Sequence, residues 1–120
     1  MKLLIVDDSL VIRRSIERMI KPDFFKSIHS AQNGAIALKL FKSSPFDIVT
    51  MDITMPEMDG LTCIESMIRL RPSIRILVIT ALADKGTAVE AVKRGAQGFL
   101  LKPFTNDAMS EALNDLLEDV

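Results

Sequence analysis

Asp7, Asp8, Asp52, Thr80 and Lys102 are the residues whose types and positions could share one piece of chemistry. Each closes an apolar run. Leu-Leu-Ile-Val leads into Asp7-Asp8, a second run ends at Met51-Asp52, a third at Thr80, and a fourth at Lys102-Pro103. Singly they are ordinary, since an acid after a strand is often a helix cap and a lysine there is usually solvated. Gathered on one edge they are three carboxylates, a hydroxyl and an ammonium. Two like unit charges about 4 Å apart repel by about 4 kcal/mol at an effective dielectric near 20. Three clustered acids therefore call for a cation, or for raised pKa values. A hard divalent ion suits oxygen ligands, and Mg²⁺ typically takes one or two carboxylates, waters and a phosphate oxygen. An acidic metal site beside a Lys and a Thr is a phosphate site, with the metal and Lys102 neutralising phosphoryl oxygens and Thr80 donating a hydrogen bond. Phosphoryl transfer needs mostly positioning and charge neutralisation. A carboxylate is a competent nucleophile for it, and Asp52, on the middle strand segment, is the candidate for an aspartyl-phosphate.

The elements that must gather these residues are legible as an alternation. Residues 3–6, 26–31, 47–51, 74–80 and 98–101 read as strands, several apolar at nearly every position, as strands covered on both faces are. Between them lie segments with a 3.6-residue period. Their apolar faces are Ile12, Ile16, Met19 and Ile20; then Ala37, Leu38 and Phe41; then Leu61, Ile64 and Ile68; then Ala88, Val89 and Val92; and last Met109, Ala112, Leu113 and Leu116. Asn33 and Thr105 are placed to cap helices, and Gly95 after Lys93-Arg94 is the chemistry of a helix end. Pro22, Pro45, Pro72 and Pro103 fall at boundaries. Five strands alternating with five helices predict a doubly wound α/β fold around a parallel sheet. In such sheets ligands bind outside the carboxyl ends of the strands, where the five polar residues stand.

Bulk properties narrow the functional classes. The 120 residues suit one domain, 1–120, and 48% hydrophobic residues suffice for one core. Fifteen Lys+Arg against 16 Asp+Glu give no pull toward nucleic acid or a membrane surface. No apolar run approaches the roughly 20 residues of a membrane span, and nothing at the start reads as a signal peptide. Cys63 is the only cysteine, so no internal disulfide forms and a reducing cytoplasm fits. His29 is the only histidine. Being alone, it argues against zinc and against a histidine phosphodonor within the chain.

The same residues carry a resemblance that covers the whole chain. Leu-Leu-Ile-Val-Asp-Asp-Ser at 3–9, Asp-Ile-Thr-Met-Pro-Glu-Met-Asp-Gly at 52–60, Thr80-Ala81 and Lys102-Pro103-Phe104 resemble the successive motifs of response-regulator receiver domains, and Asn33-Gly34 and Gly95-Ala96 fit too. The resemblance implies a flavodoxin-like five-stranded sheet of order 2-1-3-4-5. It implies that Asp52 accepts a phosphoryl group from a phosphohistidine on a sensor histidine kinase. Asp8 and Asp52 would coordinate Mg²⁺, with Asp7 partly through water and the Thr54 carbonyl as a further ligand. Lys102 would pair with the phosphoryl group, and the Lys102–Pro103 peptide would be cis. Thr80 and Phe99 match the switch pair, which changes the face made by helix four, strand five and helix five. The role is that of a switch assisting its own phosphorylation and dephosphorylation, not a turnover enzyme. Lack of an attached output domain, with Ile12-Arg13-Arg14 after the acids, is similar to the chemotaxis regulators, which bind the flagellar motor switch. Phosphorelay intermediates and receivers of other pathways share the architecture.

Departures and rival readings complete the expectations. Thr54 and Leu82 stand two residues after the acceptor and the switch Thr, sites that in the family influence attack of water on the aspartyl-phosphate. Leu82 cannot orient water, so slow self-dephosphorylation or a separate phosphatase is expected. Phe99 in place of Tyr loses only the phenolic hydroxyl. Met55 and Met58 read as loop packing or a partner contact, and Glu57 and Asp59 as solvated acids. Gly86 weakens the fourth helix, as a tolerated loop glycine or as part of a helix poised to shift. A haloacid-dehalogenase-like phosphatase also uses an aspartyl nucleophile and Mg²⁺, but there a second Asp follows two residues after the nucleophile on the first strand, whereas Asp7 and Asp8 are adjacent. A nucleotide switch would need Gly-x-x-x-x-Gly-Lys-Ser/Thr, absent here. An interaction module without phosphorylation chemistry would lack the acids or the lysine, and this chain keeps them all.

Overall fold

The computed structural model describes residues 1–20, 25–53, 60–81 and 85–118. In chain order the elements are β1 (Lys2–Val6), α1 (Leu10–Met19), β2 (Ser27–Ala31), α2 (Gly34–Ser43), β3 (Ile48–Asp52), α3 (Gly60–Leu70), β4 (Arg75–Ala81), α4 (Lys85–Lys93), β5 (Gly98–Lys102) and α5 (Asn106–Glu118). The strands form one parallel sheet in the order β2-β1-β3-β4-β5. The predicted fold class and strand order are those observed. Element ends move by a residue, which brings Asp52 and Lys102 inside their strands.

Alternation along the strands divides the core into two layers. Leu4, Val6, Val49, Met51, Ile76 and Val78 pack against α2, α3 and α4, while Leu3, Ile5, Ile48, Leu77 and Ile79 pack against α1 and α5. The continuous apolar runs of β1, β3 and β4 are thus buried on both faces, as expected. β2 and β5 are the sheet edges and remain partly open to solvent. Strand order reverses between β2-β1 and β3, and the β1 and β3 ends beside that point carry Asp7 and Asp52.

The helix ends are fixed by the capping residues read from the sequence. Asn33 Oδ1 accepts from the Ile36 amide at 2.8 Å, and Thr105 Oγ1 from the Ala108 amide at 3.0 Å. Gly95 closes α4 with a φ of 122°, where a Cβ would also meet Ile68 Cδ1 at 2.6 Å. Asp8 is not a cap; Ser9 takes that place on α1, its Oγ accepting from the Ile12 amide at 3.3 Å.

The expected apolar face of α4 is corrected. Ala88 and Ala91 are buried, whereas Val89 and Val92 are 42% and 40% exposed. The apolar arc is wider than the contact, and α4 turns its alanine side to the sheet.

Candidate functional site: an acidic cluster at the carboxyl edge of the sheet

The two central strands aim Asp7 and Asp52 at the same edge, and the parallel register sets them side by side, since Val6 pairs with Met51. Both side chains are buried, 1% and 2% exposed, and Asp8, in the turn after β1, is exposed. One carboxylate oxygen from each of Asp7, Asp8 and Asp52 lies within 4.8 Å of the others. Lys102 arrives from the end of β5, its Nζ 3.1 Å from Asp7 Oδ2 and 3.6 Å from Asp52 Oδ2. The peptide that follows it, Lys102–Pro103, is cis, as the resemblance implied.

Asp7 is the most constrained acid. Its amide donates to the Ala31 carbonyl at 3.1 Å, and its Oδ1 accepts from the Ser9 amide at 2.9 Å. Burial pushes its carboxyl above the usual aspartate value and the neighbouring Asp52 adds to this, while the Ser9 amide and Lys102 oppose it. A carboxyl raised mainly by desolvation is one that a cation would stabilise.

Thr80 closes the constellation from β4. It is fully buried, and its Oγ1 has no hydrogen-bond partner among the described residues. Buried hydroxyls are normally paired, and leaving one unpaired costs about 1–3 kcal/mol. Phe99 sits on β5 and is 39% exposed. Because Thr80 pairs with Leu101, two residues beyond Phe99, Thr80 and Phe99 share one side of the sheet on adjacent strands. The donor set is therefore all oxygen, anionic and partly buried, with the Lys102 ammonium beside it and Thr80 near the end of the neighbouring strand β4. That chemistry fits a hard divalent cation and an anion of phosphate type.

Two further residues shape this edge. Gly60 begins α3 against the β3 terminus, where a Cβ would lie 2.6 Å from Ile53 Cα and 3.1 Å from the Asp52 carbonyl oxygen. The motif contains Gly60, but nothing in the sequence shows the close approach that requires it. Arg13 donates from Nη1 to the Asp7 carbonyl at 2.6 Å, a bond signalled only by its place one turn into α1. The expected ligand Thr54, the loop residues Met55, Glu57, Met58 and Asp59, and Leu82 and Pro22 lie outside the described residues.

His29 and Cys63 stay apart from this edge. His29 is exposed on β2 with its ring edge-to-face with Phe46 at 5.5 Å. Cys63 is buried and its Sγ lies 3.6 Å from the Gly34 carbonyl. Burial pushes its thiol up to about 11, the behaviour of a packing residue.

A family model described as the response regulator receiver domain matches residues 3–114. The chain belongs to this family. Among curated relatives, the chemotaxis protein CheY of Listeria monocytogenes is 42% identical over 94% of this chain and 95% of its own length. CheY of Bacillus subtilis is 37% identical, covering 97% of each. Among solved structures, a chain of the CheX–CheY–BeF₃–Mg²⁺ complex from Borrelia burgdorferi matches with a TM-score of 0.89 and 30% identity, over 97% of this chain and 88% of that one. The chain is thus a receiver domain of the CheY-like response-regulator type. Asp7, Asp52 and Thr80, three of the described buried polar residues, stand toward this edge, with Asp8 and Lys102 more open beside the two acids. No described helix is long and apolar enough to cross a membrane.

Proposed function

We propose that this receiver is a Mg²⁺-dependent phosphoryl acceptor, phosphorylated on Asp52 by a sensor histidine kinase, and that the phosphoryl group switches its surface for an output partner. The observation that carries the reading is the Lys102 ammonium within 3.1 Å and 3.6 Å of two buried carboxylates, Asp7 and Asp52, at the end of the sheet where Thr80 stands near the close of β4. Asp7, Asp8 and Asp52, with the Thr54 carbonyl, would hold the cation, which would supply the positive charge that offsets the acids and the phosphoryl oxygens. A carboxylate oxygen of Asp52 attacks phosphorus in line, the bond from phosphorus to the donor histidine nitrogen breaks, and the imidazole leaves with that electron pair. Lys102 then exchanges its carboxylate partner for a phosphoryl oxygen. The Thr80 hydroxyl donates to another, gaining the hydrogen bond it lacks at rest.

Movement of Thr80 toward the phosphoryl group frees space on the sheet side it shares with Phe99, and the exposed ring turns inward. That changes the face of α4, β5 and α5, where Val89, Val92 and Phe99 stand exposed. The chain acts as a switch in the cytoplasm, assisting its own phosphorylation and dephosphorylation without turnover of a substrate. The similarity to CheY proteins supports a chemotaxis role, with the flagellar motor switch as output partner and a separate phosphatase as the route to resetting.

Incubation with acetyl phosphate and Mg²⁺, read by intact mass, tests the acceptor. A stoichiometric adduct of about 80 Da is expected from aspartyl-phosphate chemistry, absent with EDTA and absent in Asp52→Asn. An adduct that survives Asp52→Asn would remove Asp52 from this role. Capture on motor-switch peptides, with and without beryllofluoride, tests the output assignment, and binding indifferent to beryllofluoride would count against it.

A further inference from the structure

The two arginines that follow the acidic pair face different surroundings. Arg14 is exposed on the outer side of α1, whereas Arg13 is half-buried, with Nη1 2.6 Å from the Asp7 backbone carbonyl. We infer that Arg13 is a positioning residue that orients the Asp7–Asp8 peptide, and through it the Asp8 carboxylate, for the divalent cation. This rests on the metal-and-phosphoryl reading of the site proposed above.

Each polar group of Asp7 has a partner: the amide on Ala31, Oδ1 on the Ser9 amide, Oδ2 on Lys102, and the carbonyl on Arg13. Asp8 is the opposite case. It is exposed, and its carboxylate has no hydrogen-bond partner among the described residues. What aims Asp8 toward Asp7 and Asp52 is therefore the backbone that carries it. The Asp7 carbonyl belongs to the peptide linking the two acids, so rotation of that carbonyl swings the Asp8 Cα and its side chain. A charged donor holds a carbonyl more tightly than a neutral one. Arg13 is itself held in the first turn of α1, its amide donating to the Ser9 carbonyl at 3.0 Å. Partners one shell out from a metal ligand commonly set that ligand's orientation.

The competing role for Arg13 is purely electrostatic, and it predicts the opposite sign. A guanidinium near the cluster repels a divalent cation, so a field role means that Mg²⁺ binds more tightly once Arg13 is neutralised. A positioning role means that it binds more weakly.

The chain has no Trp or Tyr, so calorimetric titration with MgCl₂ is the direct assay. It is run on wild type, Arg13→Gln, Arg13→Lys, Asp8→Asn and the Arg13→Gln/Asp8→Asn double variant. The Mg²⁺ dissociation constant is expected to rise about 10-fold in Arg13→Gln, the low end of the usual loss for an outer-shell partner. Arg13→Lys, which keeps a charged donor, should recover most of it. In the Asp8→Asn background Arg13→Gln should add little, because the ligand it positions is already gone. An unchanged or lower dissociation constant in Arg13→Gln overturns the inference, even if thermal stability in EDTA falls. Additive effects in the double variant overturn it too. Wild type that fails to bind Mg²⁺ brings down the metal reading and this inference together, a result distinct from the other two. Should Arg13→Gln not fold, Arg13→Met, which also lacks the charged donor, with and without Asp8→Asn supplies the same comparison.

Discussion

Replacing Asp7 by Asn is expected to stabilise the cation-free protein at neutral pH, although it removes an ion pair with Lys102. The charge terms nearly cancel. At a separation of at most 4.8 Å from Asp52, two carboxylates repel by about 3.5 kcal/mol at an effective dielectric near 20. The exposed Asp8 is screened by water and adds about 1 kcal/mol. Lys102 at 3.1 Å returns about 5 kcal/mol on the same scale, less because it is partly exposed and shared with Asp52. The deciding term is then desolvation of a carboxylate only 1% exposed, a penalty of several kcal/mol per ion before compensation. Asparagine keeps an oxygen for the Ser9 amide and removes the charge.

A net gain of about 1–2 kcal/mol is expected, read by urea unfolding under far-UV circular dichroism in EDTA at pH 7. The pH dependence has a fixed sign. The folded-state pKa of Asp7 lies above its unfolded value of 3.8. Stabilisation by its protonation is therefore complete below 3.8 and is lost as pH rises through the folded value. Wild type should approach Asp7→Asn in stability on acidification. With Mg²⁺ at a hundred times its dissociation constant, wild type gains about 2.7 kcal/mol. The variant, one charge poorer, gains less, so its lead over wild type narrows. An Asp7→Asn protein less stable than wild type in EDTA at pH 7 would refute the claim that burial of this charge dominates.

Four other outcomes follow from the packing and the site. Gly60→Ala sets a Cβ 2.6 Å from Ile53 Cα, a backbone contact with no cheap relief. It should destabilise by about 1–3 kcal/mol and slow acetyl-phosphate labelling, and wild-type values for both would contradict the close approach. Thr80→Val removes an unpartnered hydroxyl, so resting stability should hold or rise by about 1 kcal/mol, while beryllofluoride should no longer shift the Phe99 ring resonances in NMR. Gly86→Ala places a Cβ that meets nothing within 4 Å and should raise stability by about 1 kcal/mol in urea unfolding. Cys63, with its thiol pushed up to about 11 by burial, should react with a disulfide reagent at pH 8 only at the rate of transient opening, and rapid stoichiometric labelling of folded protein would show the site to be open.

The sequence disclosed the strands more fully than the helix faces, and the reason is geometric. β1, β3 and β4 are buried on both sides, so every position is under the same demand and the apolar run is unbroken. On α4 the demand is for small size. Ala88 and Ala91 meet the core, and the larger Val89 and Val92, which weigh more in any hydropathy pattern, point outward. The residues of β5 do not by themselves disclose its edge position, which the resemblance implied, because its run Gly-Phe-Leu-Leu-Lys matches that of a central strand while its residues stay half-open. The acids, Thr80 and Lys102 were legible because residues that end parallel strands share one edge whatever the details. The contacts of Arg13 and Gly60 were not, since each depends on how α1 or α3 leaves the strand before it.

The resting edge is stable in spite of its chemistry, and this difference is what a phosphoryl signal can use. A ligand shifts a conformational equilibrium only by the interactions that differ between the two states. Asp7 is buried with its carboxyl held above the ordinary range, and Thr80 is buried with its hydroxyl unpaired among the described residues. Both unfavourable terms disappear together on the proposed reading, when a divalent cation neutralises the acids and a phosphoryl oxygen accepts from Thr80. Had Thr80 a resting partner among its neighbours, moving it would exchange one hydrogen bond for another and leave Phe99 without a driving force. Had Asp7 been solvated, the cation would release little on binding. The unsatisfied hydroxyl on β4 and the desolvated charge at the end of β1 therefore belong to the switching argument as much as the acceptor itself, because they set how far one phosphoryl group can bias the α4–β5–α5 surface.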